Sequence, residues 1–264
     1  MRLNAQDYLT DYYNRYDEEG RLLTRYGHVE FLTTMTYVEK YLFPGAKILE
    51  IGAGTGRYSH ALARRGYTVD AVELIERNID IFRQQTLPEE HITIRQGDAT
   101  NLSDFPAEGY DLVLLLGPMY HLFERAEQKK ALSEAIRVAK RGGVIFCAYC
   151  MADPSILQHG FIKGNIHSLV EKEMIDPETF EAFSHPWDLF ELYRKEKIEA
   201  LRADFAVEPL HFIAADGYAN HMREALAQMD EAAYQLYLKY HLATCERQDM
   251  VGLSHHTLDV IRKK

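Results

Sequence analysis

A single strand–turn–helix–strand unit, Lys47 to Leu74, constrains the fold of this chain more than any other stretch. It reads KILEIGAGTGRYSHALARRGYTVDAVEL, in which a short apolar run ends in a glycine cluster and a second apolar run ends in an acid. Glycine permits positive φ and lets a ligand approach the backbone, and the following helix presents free N–H groups. Because ligands of parallel α/β sheets bind beyond the carboxyl ends of the strands, this unit predicts a nucleotide-like ligand at Gly52, Gly54 and Gly56.

The segments after this unit continue the alternation of strand and helix. The apolar runs KILEI, TVDAVEL, ITIRQGD, YDLVLLLG and GVIFCAYC alternate with the helical patterns GRYSHALARRG, LIERNIDIFRQQTL and ERAEQKKALSEAIRVAKRGG. Near-continuous apolar strands in this order imply a parallel sheet that helices cover on both faces. We expect a further helix from WDLFELYRKEKIEALRADF, a strand from VEPLHFIAADG and a last strand from HTLDVIRKK.

The same pattern predicts one α/β domain with helical additions. Residues 1–43 are aromatic and charged with apolar positions at helical spacing, which favours a helical N-terminal lid. Residues 44–264 form the sheet domain. Two cap insertions are expected over the carboxyl edge of the sheet: residues 151–186, which carry three prolines and no clean period, and residues 218–250, which are helical.

Composition argues against several classes of partner and location. The formal charge of -10 and the lack of a basic stripe speak against a nucleic-acid partner. Cys147 and Cys150 lie three residues apart in an apolar strand, a span of about 10 Å, which exceeds the reach of a disulfide. The N-terminus lacks the apolar core of a signal peptide, and no apolar run approaches the roughly 18 residues of a membrane span. We therefore expect a cytoplasmic protein without a membrane partner.

The glycine cluster departs from the dinucleotide fingerprint G-x-G-x-x-G, because its third glycine comes one residue early and Arg57 stands in the expected place. Glu50, two residues before the first glycine, would repel a pyrophosphate but suits the cationic, phosphate-free S-adenosylmethionine. Glu73 ends the second strand and can accept hydrogen bonds from ribose hydroxyls; the alternative is a surface acid. Asp98 can accept from an adenine amino group, with the Ala99 N–H facing the ring, or can simply form a turn.

The segments ILEIGAGTGRYS, GDA and DLVLLLGPMYHL, with Glu73 between the first two, resemble the class I S-adenosylmethionine-dependent methyltransferases. The resemblance is strong over about residues 45–150 and weaker over 187–264, where SHHTLDVIRKK is similar to the family's reversed last strand. It implies a Rossmann-like, seven-stranded, mostly parallel sheet with an antiparallel last strand. It also implies S-adenosylmethionine as cofactor, S-adenosylhomocysteine as product, and Leu74 and Leu116 as cofactor neighbours.

The catalytic candidates follow the fourth strand. GPMYHL resembles the branch that methylates small molecules, and the Asn/Asp-Pro-Pro-aromatic tetrad of many amino-directed enzymes is absent. His121 would lie beside the methyl end of the cofactor as a general base for a hydroxyl acceptor, with Tyr120 as its neighbour. The alternative is that His121 packs or caps this segment. An acceptor that is already ionised needs no base.

The N-terminal lid supplies two further candidates. The resemblance implies that this segment folds over the cofactor, where Tyr16 and Arg21 could bind its methionyl carboxylate; the alternative is an amphipathic helix that packs its aromatic face. His255-His256 opens the last strand without a matching ligand cluster, so no metal site is predicted.

The sequence thus predicts a methyltransferase that acts on an O or N atom of a small molecule or a peptide end, with a carboxylate among the candidates. The alternatives are an NAD-type oxidoreductase on a similar sheet and a cofactor-binding module without catalysis. The acceptor and the oligomeric state stay open.

Overall fold

The computed structural model describes residues 5–16 and 18–264 of the chain. The predicted lid also includes residues 1–4 and 17, which lie outside the described residues. Three helices precede the sheet: α1 (Ala5–Tyr13), α2 (Glu18–Leu23) and α3 (Arg25–Glu39). Strands and helices then alternate: β1 (Lys47–Ile51), α4 (Arg57–Ala63), β2 (Thr68–Glu73), α5 (Glu76–Gln85), β3 (Ile92–Gln96), β4 (Tyr110–Leu115), a 3-10 turn (Pro118–His121), α6 (Arg125–Val138) and β5 (Ala139–Met151).

The second half of the chain is richer in short helices. After β5 come α7 (Ala152–Ser155), a π-helical segment (Ile156–Ile162), α8 (Ile166–Glu171), a 3-10 turn (Pro186–Asp188), β6 (Leu192–Tyr193) and α9 (Lys195–Arg202). The chain ends with β7 (Val207–Ala214), α10 (Arg223–Gln228), α11 (Glu231–Thr244), α12 (Gln248–Val251) and β8 (His256–Lys263). Among the described residues, no helix combines the length and apolarity that crossing a membrane requires.

The strands form one sheet in the order β3-β2-β1-β4-β5-β8-β7. Strand β8 runs antiparallel to both β5 and β7, and the pairs from β3 to β5 are parallel. The predicted seven-stranded sheet with an antiparallel last strand is confirmed, and the two-residue β6 is added beside the end of β5. Because β2 and β4 flank β1 on opposite sides, the switch point of the sheet lies at the carboxyl end of β1.

Helices cover both faces of the sheet, as the apolar strands require. Leu132 of α6 and Ile198 of α9 belong to the core on one face. Val38 of α3, Leu62 of α4 and Val251 of α12 belong to the core on the other face. Helix α3 is therefore part of the sheet's outer layer, and within the described part of the predicted lid only α1 and α2 precede it.

Two predicted helix bounds are wrong. The helix expected to run through Gly143 ends at Val138, because Ala139 pairs with Tyr110 and opens β5. The helix expected from Trp187 begins only at Lys195, because β6 first pairs with the end of β5. In both places a strand pairing outweighs local helix propensity, which is a weak preference.

Candidate active site

Two adjoining cavities open at the carboxyl ends of the strands. The first has a volume of about 380 Å³ and is lined by the turn after β1 and by the ends of β2, β3 and β4. The second has a volume of about 770 Å³ and is lined by α1, by the segment from Ser155 to Leu192 and by residues after β7. Five residues line both cavities and so form a shared wall: Tyr13, Arg21, Glu30, Tyr120 and His256.

The glycine turn shapes the floor of the first cavity. Gly52 has φ +76, and a Cβ there would lie 2.5 Å from Pro118 Cδ. Gly54 has φ +54 and open space where a Cβ would be, so a ligand can approach its backbone. Gly56 lines neither cavity. A Cβ at this position would lie 2.5 Å from Phe82 Cδ2, so only glycine leaves room for the Phe82 ring. The third glycine therefore serves the packing of α4 on α5.

Three predicted acids converge on the first cavity. Glu50 is 1% exposed and accepts a hydrogen bond from Ser59 Oγ. Its burial raises the pKa to about 8, because the side-chain and backbone hydrogen bonds from Ser59 offset little of the lost hydration. A buried carboxyl group with a raised pKa is one that a cationic ligand would stabilise in its charged form.

Glu73 and Asp98 end neighbouring strands and are held by backbone groups. Glu73 accepts from Gly54 N at 2.8 Å and from Ile75 N at 3.0 Å, and its burial raises the pKa against these bonds. Asp98 Oδ1 accepts from Thr100 N at 2.7 Å. Both carboxyl groups therefore stand in fixed positions at the carboxyl edge of the sheet.

The other predicted cofactor neighbours divide between the two cavities. Leu74, Ala99 and Leu116 line the first cavity. Arg21 lies in the shared wall and forms an ion pair with Glu30 at 2.7 Å. Tyr16 lines only the second cavity, where its ring stacks on Tyr12 with centroids 4.8 Å apart.

Arg57 has no role predicted from the sequence. Its guanidinium lies over the Phe31 ring at 4.5 Å in the wall of the first cavity. The Nε atom of Arg57 is buried and has no hydrogen-bond partner among the described residues. An unpaired buried donor of this kind suits an anionic ligand group. The only sequence signal was the displaced third glycine.

His121 is engaged at both ring nitrogens. Nδ1 lies 2.8 Å from the Leu189 carbonyl and therefore donates, which leaves Nε2 to accept from the Tyr13 hydroxyl at 3.0 Å. Burial lowers the pKa of His121 to about 4, so the ring is neutral near pH 7. Tyr120 lies beside it with ring centroids 4.8 Å apart. Both residues line the first cavity, near the end of β4.

The histidine pair at the start of β8 does have acidic neighbours. Glu30 of α3 and Asp216, after β7, gather around His256 with ligand-type atoms within 4.8 Å of one another. The predicted lack of a matching ligand cluster beside this pair is therefore wrong, because the acids come from segments distant in sequence. We assign no metal here, since the Arg21 guanidinium already neutralises Glu30.

The first cavity fits S-adenosylmethionine by the chemistry of its donors. Glu50 suits an ammonium group, the unpaired Nε of Arg57 suits a carboxylate, and Glu73 and Asp98 suit hydroxyl and amino donors. The acids at the glycine turn do not suit a pyrophosphate. Fold and site together suit a Rossmann-like domain that binds S-adenosylmethionine.

Comparisons with known proteins agree with this class. Residues 49–147 match the family model described as a methyltransferase domain. A demethylmenaquinone methyltransferase of Clavibacter sepedonicus is 30% identical over 52% of this chain and 56% of its own length. An S-adenosyl-L-methionine-dependent Diels-Alderase of Talaromyces variabilis is 31% identical over 38% of this chain and 34% of its own length. The chain thus spans about half or less of these curated relatives.

A solved structure extends the likeness to the whole fold. A Thermotoga maritima protein described as a methyltransferase, and a possible histamine N-methyltransferase, superposes with a TM-score of 0.58 at 18% identity. The match covers 99% of this chain and all of that one. The family match identifies residues 49–147 as a methyltransferase domain, and the superposition extends the shared fold to the whole chain. This domain implies S-adenosylmethionine as the cofactor.

Proposed function

We propose that this protein transfers a methyl group from S-adenosylmethionine to an O or N atom of a small molecule or a peptide end. One observation carries the proposal: a cavity with donors suited to the cofactor shares a wall with a larger cavity. The shared wall would let a ligand in each cavity meet at Tyr120 and His256. Methyl transfer needs this in-line approach of two bound molecules.

The residues of the first cavity have distinct proposed roles. Glu50 binds the ammonium group, Arg57 binds the methionyl carboxylate, and Glu73 binds the ribose hydroxyls. Asp98 accepts from the adenine amino group, while Leu74, Ala99 and Leu116 pack around the ring. Bound S-adenosylmethionine supplies an electrophilic methyl group and a neutral thioether leaving group. The protein contributes alignment and the exclusion of water.

His121 and Tyr120 remain the catalytic residues proposed from the sequence. The contacts of His121 support a positioning role, because its neutral ring ties the Tyr13 hydroxyl of α1 to the Leu189 carbonyl. Tyr120 lies in the shared wall beside the tilted Phe190 ring, with ring centroids 6.0 Å apart, so it can orient an acceptor against the cofactor.

The second cavity favours an acceptor that carries an acidic group. Tyr12, Tyr16 and Phe190 give it an aromatic wall. Lys172 and Arg223 also line it. The Arg223 guanidinium donates to Asn220 Oδ1 at 2.5 Å, and among the described residues neither cation forms an ion pair with a carboxylate. The charged groups deeper in the cavity pair with one another. An acceptor of aromatic character with an acid at the cavity mouth fits this distribution.

Two alternatives predict different binding. An NAD-type oxidoreductase would need a pyrophosphate beside Glu50, which the buried carboxyl group disfavours. Cofactor binding without transfer is the second alternative, and one matched relative is described as a Diels-Alderase rather than a methyltransferase. The partner is therefore proposed to be a small molecule or peptide, and nucleic acid is disfavoured by the net charge of -10.

Calorimetry and label transfer test the proposal. S-adenosylmethionine and S-adenosylhomocysteine should bind in the micromolar range, about -8 kcal/mol, and NAD should not bind. Methyl-labelled S-adenosylmethionine incubated with the protein and a metabolite extract should yield a labelled small molecule. The Glu73→Ala variant is the control and should transfer little label. Tight cofactor binding without any label transfer would leave the binding-module alternative standing.

A further inference from the structure

The shared wall of the two cavities contains a histidine–carboxylate pair that the proposed roles above do not use. His256, the first residue of β8, places Nδ1 2.9 Å from Asp216 Oδ2. Asp216 follows β7 and is 3% exposed. Its other oxygen, Oδ1, lies 2.6 Å from Ser254 Oγ and 3.1 Å from the His256 backbone N. The carboxylate is therefore fixed, and it fixes the imidazole.

The orientation of the ring leaves its second nitrogen available. Because Nδ1 faces Asp216, Nε2 is at the opposite side of the ring, and no described residue forms a hydrogen bond with it. The His256 side chain is 20% exposed. His256 lines both cavities. Nε2 is thus a solvent-accessible nitrogen at the place where a cofactor and an acceptor would meet.

The charges around His256 come from four elements. Glu30 of α3 lies 3.6 Å from Nδ1 and is paired with Arg21 of α2, while Cys150 of β5 and Asp216 after β7 complete the surroundings. Burial alone would lower the pKa of His256, but the charges of Glu30, Cys150 and Asp216 raise it well above the ordinary value. His255, next to it, is buried and its pKa is lowered to about 4. Glu30 and Asp216 thus raise the pKa of His256, while the pKa of the neighbouring His255 is lowered.

We propose that His256, held by Asp216, accepts the proton that the methyl acceptor loses. This inference rests on the proposed methyltransferase function. The acceptor's lone pair forms the new bond to the methyl carbon, the carbon–sulfur bond breaks with its electrons on sulfur, and the acceptor's proton passes to Nε2. Asp216 then holds the imidazolium at Nδ1. Asp216 is accordingly a positioning residue, and His256 is the group that touches the acceptor.

A raised pKa in the base has a defined consequence for pH dependence. His256 accepts a proton only in its neutral form, so turnover should rise with pH above neutrality until the imidazolium of the free enzyme is deprotonated. An electron-rich imidazole is also the better base for a weakly acidic hydroxyl or amine. The competing explanation is a buried ion pair that only joins α3 to the ends of β7 and β8.

The test compares His256→Gln and Asp216→Asn with a matched control. His211 of β7 also pairs with a carboxylate, Glu246 at 3.0 Å, but lines neither cavity. The readout is the initial rate of label transfer from methyl-labelled S-adenosylmethionine into a metabolite extract between pH 6 and 9.5. His256→Gln should reduce this rate by about 10²–10⁴-fold and keep cofactor affinity within about threefold. His211→Gln should transfer label at the wild-type rate.

Two further measurements test the inference even if the His256→Gln variant does not fold. Imidazole NMR of the wild-type protein should give a midpoint for His256 that coincides with the alkaline rise of its transfer rate. In Asp216→Asn both the NMR midpoint and the rise should move to lower pH, while a purely structural pair would move only the NMR midpoint. Equal label transfer by wild type and His256→Gln would overturn the inference alone. A wild-type protein that binds the cofactor but transfers no label would overturn the proposed function with it.

Discussion

Glu50 shows how one buried side chain can report on the charge of its ligand. It is surrounded by Ser59 of α4, the Tyr58 ring and the Glu73 carboxyl group, with no cation among the groups that shift its pKa. Its pKa of about 8 lies above the ordinary 4.5, so the folded protein without ligand holds a proton there that the unfolded chain releases. Stability from this group is therefore present below pH 4.5 and is lost as the pH rises towards 8.

A bound ammonium group should reverse that preference and expel the proton. We expect S-adenosylhomocysteine affinity to rise with pH by up to about tenfold per unit below pH 8, and to level off where the ligand's amino group loses its own charge. Calorimetry in two buffers of different ionisation heat measures the proton released. Glu50→Gln should abolish this release and should be at least as stable as wild type at pH 8. Equal affinity at pH 6 and pH 8 would remove Glu50 from the ammonium site.

Arg57 allows a test with a truncated ligand. Its buried unpaired Nε should bind the methionyl carboxylate, so Arg57→Gln should weaken S-adenosylhomocysteine binding by about 10- to 100-fold, the range of a charged hydrogen bond. Methylthioadenosine lacks the amino-acid part, and its affinity should not change in this variant. Arg65→Gln, an exposed arginine paired with Glu39, serves as the control. Equal losses for both ligands would place Arg57 in the packing of the turn instead.

At the scale of elements, α1 differs from α3 in how it is held. Helix α1 has no buried residue, yet Gln6, Leu9 and Tyr13 line the first cavity. Its contacts with the described residues include two aromatic pairs, Tyr13 with His121 and Tyr12 with Phe190. Helix α3, in contrast, packs Met35, Tyr37 and Val38 into the core. An element with little buried surface opens at low free energy, which suits a lid.

The lid interpretation predicts a graded response to truncation. Removal of residues 1–24 should leave a folded protein that loses S-adenosylhomocysteine affinity and label transfer together. Removal through α3 should abolish folding, because that helix supplies core residues. Tyr13→Phe, which deletes only the hydroxyl bonded to His121 at 3.0 Å, should loosen α1 while the fold persists.

Amide hydrogen exchange measures the same movement in the intact chain. Residues 5–16 should gain protection when S-adenosylhomocysteine binds, and the gain should shrink in Tyr13→Phe. The amides of α3 serve as an internal control, since they should be protected with or without ligand. Unchanged exchange over α1 in the presence of ligand would show a static helix.

At the scale of the whole molecule, local sequence patterns predict the strands of the sheet, whereas contacts between distant segments decide where the later helices begin. The strands were predictable because each is an apolar run bounded by turn residues, and Glu50, Glu73 and Asp98 were predictable because the carboxyl ends of parallel strands meet. Helix α9 was misplaced because β6 pairs with β5 through a fully buried Tyr193, whose hydroxyl donates to the Met119 carbonyl at 2.7 Å. No local pattern shows that contact.

The polar cluster in the shared wall was missed for the same reason. Glu30, Asp216 and His256 lie on three segments that only the folded sheet brings together. In the sequence alone, Glu30 is typical of an acid on a helix surface, Asp216 of an acid in a turn, and His256 of a histidine at a strand end. What the sequence did offer was the histidine pair at the start of the last strand, and its partners could be assigned only after β7 and β8 were placed side by side.

Strand β8 also forms an ion pair with helix α9, and this ion pair allows a prediction about stability. Asp259 is 1% exposed in the middle of β8 and forms an ion pair with Arg202 of α9. Burial raises the pKa of Asp259 to about 6 despite that guanidinium, so the buried charge is costly. Asp259→Ala should destabilise the fold by up to about 3 kcal/mol, the lower end of the range for a broken buried pair, because Arg202 loses its close partner and keeps only Glu199, at 3.9 Å.

The matched control replaces both partners. The double variant Asp259→Leu with Arg202→Met removes the two charges together and should recover most or all of that loss, since an apolar pair avoids the cost of dehydrating two ions. Urea unfolding of the wild type and the two variants gives the three free energies of unfolding. Cofactor affinity should be equal in all three, because neither residue lines a cavity. If the single variant lost less than about 1 kcal/mol, the range of an exposed pair, the ion pair would not join α9 to the sheet.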